Sequence, residues 1–461
     1  MKHSLIPGAG CTPRPGPGRR GKPQVKTAAG AARAGFDPGF EFMQRKPLRE
    51  LQYQRLRDIV RHAFEHVEYY RHSFTAAGIS PATLRSLDDI RHFPLVEKQN
   101  LRDAYPFKML AVPREKVVRL HASSGTTGKP TVVGYTAADI DIWAGLMARC
   151  LFAGGVRPGD IVHNAYYYGL FTGGFGVHYG AERLGCSVTP ISGGNTEKQV
   201  MLLKDFGAHV LAATPSYALN IAEVAARQGV DLAGGPLRIG LFGGEPSSQA
   251  MRAELERQLG LRVVELYGLS EVMGPGVAGA CTEQAGMHGW EDHFLFEIID
   301  PASHEPLPMG CTGELVITTL TKQAQPMIRY RTRDITRLTD EPCACGRSHL
   351  RIEQIAGRDD DMLIIRGVNL YPSQIESLLV GFPGIAPHYQ LIVTRQGSLD
   401  GLRIQVEAIP GTDVDRRQLA ETIRHRVKSM GGVSCEVEIM ESGGVPRSEG
   451  KAVRVRDLRH A

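Results

Sequence analysis

Between residues 116 and 266, short apolar runs alternate with stretches of helical periodicity. The runs fall at 116–120, 161–165, 188–191, 210–213, 239–242 and 263–266, with helix-length segments between most of them. Apolar runs of strand length separated by amphipathic helices predict a doubly wound α/β sheet, because each crossover helix must cover a sheet face. In that architecture ligands sit beyond the carboxyl ends of the strands. Two Gly-rich segments occur there: Gly243-Gly244-Glu245-Pro246 after one run and Tyr267-Gly268-Leu269-Ser270-Glu271 after another. An amphipathic helix is predicted over 49–75. After about residue 290 the alternation stops, and 294–300 and 313–320 are expected to form antiparallel strands. Beyond residue 360 the pattern changes again, with strands near 390–395, 402–408 and 434–440 and helices near 372–381 and 414–429. The expected fold is α/β: a large N-terminal doubly wound domain with a β-rich subdomain over 41–359, a hinge, and a small α+β C-terminal domain over 360–461.

The segment His121-Ala122-Ser123-Ser124-Gly125-Thr126-Thr127-Gly128-Lys129-Pro130 crowds hydroxyls, two glycines and a lysine into one turn. Successive backbone N–H groups in such a turn form an anion-binding concavity, and the side chains add donors. A polyphosphate is the natural guest, although a Gly/Ser/Thr cluster is equally the composition of a plain loop. The nucleotidase P-loop reads G-x-x-x-x-G-K-[ST]. Here only two residues separate Gly125 from Gly128, and Pro130 follows Lys129, so that reading is excluded.

Charge is unevenly placed. Residues 1–36 carry seven basic side chains and no acid, leaving about −2 for the remainder of a chain whose formal total is +5. The body therefore has no basic field suited to nucleic acid. No apolar run approaches the roughly 20 residues of a membrane span. Residues 1–40, rich in Pro, Gly and basic residues, are expected to be a disordered extension, either dispensable or lying ahead of Met43 as the working start. Eight cysteines in 461 residues do not indicate a disulfide scaffold, which makes the cytoplasm the expected compartment.

Five separated motifs resemble, in order, the adenylate-forming acyl- and aryl-CoA ligases, most closely the phenylacetate–CoA ligases. They are residues 123–130, 242–246, 267–271, 330–334 with 357–376, and 446–454. The runs Tyr168-Gly169-Leu170-Phe171-Thr172-Gly173-Gly174 and Pro446-Arg447-Ser448-Glu449-Gly450-Lys451-Ala452 resemble the phenylacetate branch in particular. The resemblance implies a two-step reaction using ATP, Mg²⁺ and coenzyme A. A carboxylate attacks the α-phosphate and releases pyrophosphate; a thiol then displaces AMP.

It also implies residue roles. Ser123, Ser124, Thr126, Thr127 and Lys129 would hold the β/γ-phosphates, with Gly125 and Gly128 allowing the bend. Glu245 and Pro246 would lie beside adenine, and Tyr267 would stack on it, flanked by Gly268 and Ser270. Glu271 would hold Mg²⁺, Asp334 the ribose hydroxyls, and Arg358 ribose or phosphate. Taken singly, Asp334 also fits a solvated charged face and Glu271 a helix N-terminus. Lys451, a flexible ammonium in a Gly-rich loop, is the expected catalytic residue of adenylation. Asp360 is the expected hinge, which would let residues 366–369 meet the site in the second step. The acid pocket is expected from Tyr166, Phe171, Gly243, Gly244, Gly274 and Pro275. Tyr167 and Gly244 stand where glycine and alanine are expected in relatives, which suggests a reshaped pocket for a hydroxy- or amino-substituted aryl acid.

Cys281, His288, Cys343 and Cys345 form a candidate structural zinc set, with His349 and His293 as alternative ligands. Three readings follow: an aryl-acid–CoA ligase with phenylacetate as first substrate, an adenylating enzyme loading a carrier-protein thiol, and a non-catalytic zinc-stabilised protein. A homodimer stays open; neither nucleic acid nor membrane is expected as a partner.

Overall fold

The structure, a computed structural model, describes residues 34–123, 130–366, 368–396, 399–412 and 414–459. Its centre is a run of five parallel strands in the spatial order Ser187–Thr189, Ile161–Asn164, Val210–Ala213, Ile239–Gly243, Arg262–Leu269. In chain order this is 2-1-3-4-5, so the crevice opens where the order reverses, beyond Asn164 and Ala213. Val210–Ala213 and Ile239–Gly243 are buried at every position, as strands covered on both faces must be.

The β-rich part is not a separate sheet. Arg262–Leu269 pairs parallel with Ile239–Gly243 on one side and antiparallel with Gly274–Ala280 on the other. From there the ladder continues through Met287–Gly289, Arg351–Ile352, Tyr330–Thr339, Thr312–Thr319 and Phe294–Ile299, and Gly357–Arg358 also pairs with Tyr330–Thr339, giving one 12-stranded mixed sheet among the described residues.

Three sequence expectations change. The run at 116–120 begins as a 3₁₀ turn, Arg114–Lys116. The strand that follows, Arg119–Ser123, pairs among the described residues with Thr131–Tyr135 alone, outside the large sheet. The helix expected over 49–75 is two helices, Arg45–His66 and Glu68–Ala76. Val67 breaks them with extended backbone (ψ 114°), seating its β-branched side chain in the core. Finally, the last residues assigned to the extension belong to the folded body. Arg149 Nη2 donates to Asp37 at 2.9 Å, and His349 Nε2 donates to the carbonyl of Phe40 at 3.0 Å. The expectation for residues 1–33 lies outside the described residues.

The C-terminal domain follows the short 3₁₀ turn Asp359–Asp361. Its sheet runs Glu436–Met440, Leu399–Ala408, Ile385–Gln396, Val455–Asp457, covered by Pro372–Leu379 and Arg416–Gly431. Ile375, Leu391, Ile404, Ile423 and Val427 give it a core of its own. Named polar contacts dock it on the large domain. Ser248 N–H donates to the buried Glu376 at 2.9 Å, and Arg447 donates to Glu223 through Nε at 2.6 Å and Nη2 at 2.9 Å.

Candidate active site

Beyond the carboxyl ends of the parallel strands lies a cavity of about 1060 Å³. Of the described residues expected to bind nucleotide or acid, all but Gly274 line it. Residues 124–129, with Ser124, Gly125, Thr126, Thr127, Gly128 and Lys129, lie outside the described residues. Ser123 closes one end of that loop, and its hydroxyl bonds to the hydroxyl of Thr131 across the hairpin.

Tyr267 ends a central strand, and its phenol donates to Asp334 Oδ2 at 2.6 Å. Asp334 lies on the far strand Tyr330–Thr339, which the chain re-enters after the antiparallel excursion. Burial pushes the Asp334 carboxyl up to about 6, opposed by Arg358 and by the Tyr267 hydrogen bond. Arg358 Nη1 lies 3.7 Å from Asp334, while its Nε and Nη2 each donate to Asp360 at 2.8 Å. The expected hinge residue is therefore held by the expected ribose-side arginine.

Glu271 sits on the turn after Leu269, 5% exposed. Thr131 Oγ1 donates to its carboxylate at 3.3 Å and Lys98 Nζ lies 3.5 Å away. The turn is fastened from beneath. Tyr135 OH donates to the carbonyl of Met273 at 3.0 Å, and Lys322 Nζ to that of Glu271 at 3.3 Å. Lys322 is fully buried over the Tyr135 ring, 4.6 Å from its centroid, and burial lowers its pKa to about 7. Thr131, Lys98 and Lys322 were not singled out from sequence; an isolated Lys or Thr carries no signal without its neighbours in space.

Lys451 enters from the C-terminal domain. Gly450 O accepts from Thr214 Oγ1 at 2.7 Å and from Ser216 Oγ at 3.1 Å, and Thr214 also caps helix Pro215–Arg227. The Lys451 side chain stays open to the cavity, yet the surrounding protein lowers its pKa, opposed by Glu245 and Glu271. Glu245 lines the cavity, and its carboxylate also holds backbone. It accepts from Ser216 N at 2.6 Å and Ala452 N at 2.9 Å, bracing the two domains. Pro246 lies exposed at the cavity wall.

Among the acid-pocket residues, Tyr166 donates to Leu241 O at 3.2 Å, which fixes its ring as a wall. Phe171, 43% exposed, faces the cavity with Gly243 and Pro275. A Cβ on Gly243 would lie 2.3 Å from Leu266 O, so no side chain fits there. Gly274 is packed behind the wall, where a Cβ would lie 2.6 Å from the Trp143 ring; it shapes the pocket without lining it. Ser270 Oγ bonds to Thr172 Oγ1 at 3.0 Å, and a Cβ on Gly268 would meet Gly274 O at 1.9 Å. The two unusual positions, Tyr167 and Gly244, line the same cavity and lie on its Lys451 side. The ring of Tyr167 lies near Gly450, and a Cβ on Gly244 would be 3.6 Å from Lys451 Cε.

Away from this cavity, one ligand atom from each of Cys281, His288, Cys343 and Cys345 falls within 4.8 Å of all the others. Cys281 and Cys343 Sγ are 3.7 Å apart, and Cys345 Sγ is 3.3 Å from His288 Nε2. A tetrahedron with Zn–S bonds of ~2.3 Å has edges of about 3.8 Å, close to these separations. His288 Nδ1 faces His349 O at 3.3 Å, which leaves Nε2 for a metal. The Cys345 thiol is pushed well down, first by the Cys281 hydrogen bond and then by burial-opposing bonds from His288. His349 Nδ1 instead accepts from Glu291 N, and His293 Nδ1 bonds to Thr321, so neither alternative joins the set.

The AMP-binding enzyme family model matches residues 80–321, and the AMP-binding enzyme C-terminal domain model matches residues 367–459. The phenylacetate-coenzyme A ligase of Escherichia coli is 55% identical over 419 residues, covering 90% of this chain and 95% of the relative. That of Thermus thermophilus is 48% identical over 442 residues, covering 92% and 99%. Among solved structures, 2-hydroxyisobutyryl-CoA ligase in its postadenylation state matches with a TM-score of 0.87 at 31% identity, covering 92% of each chain. The same enzyme in its thioesterification state, with CoA, matches with a TM-score of 0.69 at 32% identity and the same coverage. No helix among the described residues is long and apolar enough to cross a membrane.

Proposed function

The chain belongs to the phenylacetate–coenzyme A ligases, a family of AMP-binding enzymes, and from that premise we propose that it activates an aryl acid, phenylacetate first, to an acyl-adenylate and then to its CoA thioester. The observation that carries this reading is the convergence of Tyr267, Glu271, Asp334 and Lys451 on one cavity from distant stretches of chain.

In the first step a carboxylate oxygen attacks the α-phosphorus of ATP and the bond to the β-phosphate breaks, releasing pyrophosphate. An anion approaches a polyanion, so charge neutralisation and alignment do most of the work. The Lys451 ammonium offsets charge on the carboxylate and α-phosphate. Asp334 accepts from the ribose hydroxyls, and Tyr267 stacks on the base. Glu271, an oxygen donor at the cavity wall, would hold Mg²⁺ together with the phosphates, and Mg²⁺ supplies charge neutralisation at the departing pyrophosphate. The braced Gly450 carbonyl next to Lys451 and the higher TM-score to a postadenylation structure than to a thioesterification one both suit this half-reaction. In the second step the CoA sulfur attacks the acyl carbon, AMP leaves, and the thiol proton passes to solvent. Release of the Arg358–Asp360 pair would let the C-terminal domain turn and bring the turn at Arg366 to the site.

ATP–pyrophosphate exchange tests the reading directly. Phenylacetate supports exchange, and hydroxy- and amino-substituted analogues measure the pocket. No exchange with any aryl acid refutes it. Thioester formation with CoA, set against a carrier-protein phosphopantetheine thiol, decides the acceptor. The Cys281, His288, Cys343 and Cys345 cluster is proposed to hold a structural Zn²⁺. Purified protein then carries one zinc per chain and Cys345→Ser loses it; metal-free protein of unchanged stability refutes the site.

A further inference from the structure

Tyr167 is exposed over 41% of its surface, in the segment that forms the acid-pocket wall. Its ring fills a gap between two glycines, Gly193 and Gly450. On the large-domain side, a Cβ on Gly193 would lie 2.6 Å from Tyr167 Cε2 and 2.7 Å from Cζ. On the C-terminal side, a Cβ on Gly450 would lie 3.0 Å from the same Cε2. Gly450 immediately precedes Lys451, and its carbonyl is the one bonded to Thr214 and Ser216. The Tyr167 hydroxyl has no hydrogen-bond partner within the described residues, so its ring, not its polarity, makes these contacts.

We infer that Tyr167 is a positioning residue for adenylation: its ring is the stop against which the Gly450–Lys451 backbone seats, and it is left behind when the C-terminal domain turns. This rests on the ligase reading above. The Thr214 and Ser216 hydroxyls pull the Gly450 carbonyl towards the large domain, and the ring limits how far it goes. Together they define the depth of Lys451 in the cleft. A methyl at 450 would press on Cε2, so the ring or the Gly450 backbone would have to give by a few tenths of an ångström.

The test uses full-length Tyr167→Gly, Tyr167→Phe, Gly450→Ala and the double variant Tyr167→Gly/Gly450→Ala. Two half-reactions are followed: pyrophosphate release with phenylacetate and ATP, and thioester formation from supplied phenylacetyl-adenylate. Tyr167→Gly lowers adenylation about tenfold and leaves thioester formation unchanged, whereas Tyr167→Phe behaves as wild type. Gly450→Ala also lowers adenylation, but adds nothing in the Tyr167→Gly background, since the methyl then has no ring to meet. Equal losses in both half-reactions, or additive losses in the double variant, overturn the inference. Amide hydrogen exchange in a peptide covering residues 446–454, without ligands, provides a readout independent of catalysis. It is faster in Tyr167→Gly than in wild type; equal exchange overturns the inference. If wild type itself shows no aryl-acid-dependent pyrophosphate exchange, the ligase reading fails while this exchange contrast still judges Tyr167.

Discussion

Glu223→Gln should separate the two half-reactions without touching the cavity. Glu223 lies on helix Pro215–Arg227 and accepts a two-pronged contact from Arg447 of the C-terminal domain, at 2.6 and 2.9 Å. Arg447 also donates to Glu407 at 2.6 and 2.8 Å, so the substitution does not strand its charge. Hydrogen bonds to charged groups contribute roughly 1.5–3 kcal/mol each when shielded. The side chains are 19% and 27% exposed, so solvent screening reduces the pair to about 1–3 kcal/mol in all. At 1.36 kcal/mol per decade, that weakens docking of the Lys451-in arrangement by about 5- to 150-fold. ATP–pyrophosphate exchange falls by up to that factor, while thioester formation from supplied adenylate holds or rises. The His388 hydrogen bond and then Arg447 hold Glu223 well below its ordinary value of 4.5. A depressed carboxylate contributes stability above its unfolded pKa and loses it as pH falls through the folded one. The contribution of the Glu223 carboxylate therefore shrinks in acid, as pH falls below its ordinary value. Equal loss of both half-reactions, or a ratio that grows in acid, would refute the reasoning.

Lys451→Ala abolishes acyl-adenylate formation but spares thioester formation from supplied phenylacetyl-adenylate; parallel loss of the two removes its assigned role. Asp334, raised to about 6, protonates as pH falls through that value, so the KM for ATP rises below it. Tyr267→Phe deletes a donor that favours the charged form, and the midpoint moves upward; a downward or absent shift speaks against the Tyr267–Asp334 geometry. Lys322, lowered to about 7 from 10.5, makes the unfolded chain bind more protons between those values, so wild-type Tm climbs with pH across that window. Lys322→Met flattens the slope, has the higher Tm at pH 7, and slows adenylation because Glu271 O loses its donor. A variant with undiminished adenylation shows that the buried ammonium does not support the Glu271 turn.

The strands at 210–213 and 239–242 were legible because buried parallel strands need uninterrupted apolar runs, and such runs between helices have few other homes. The hairpin at Arg119–Ser123 was not, since an apolar run does not declare which sheet it joins. Val67 is an ordinary helical residue by composition, and only its seat in the core shows why the helix breaks there. In the site, motifs point to Tyr267, Glu271, Asp334 and Lys451, which the fold brings to one cavity, and two separated Cys/His segments point to Cys281, His288, Cys343 and Cys345, which it brings together. Contacts made across space were not legible. The motif places Glu245 at the cavity, but the bonds its carboxylate accepts from backbone N–H groups of both domains have no sequence signal. Tyr167 and Gly244 were seen as unusual, but their orientation toward Lys451 depends on how the C-terminal domain docks.

The continuity of the 12-stranded sheet bears on how a reactive mixed anhydride survives between two reactions. Tyr267, Asp334 and Arg358 all sit on strands of that sheet, with Asp334 and Arg358 directly paired in its ladder. Lys451 alone among the proposed adenylation groups arrives from the other domain. On the proposed roles of Tyr267, Asp334 and Arg358, one domain would swing away while the nucleotide half of the intermediate keeps its mount. The thiol then meets an electrophile whose position was set one step earlier, and the handover needs no second round of capture.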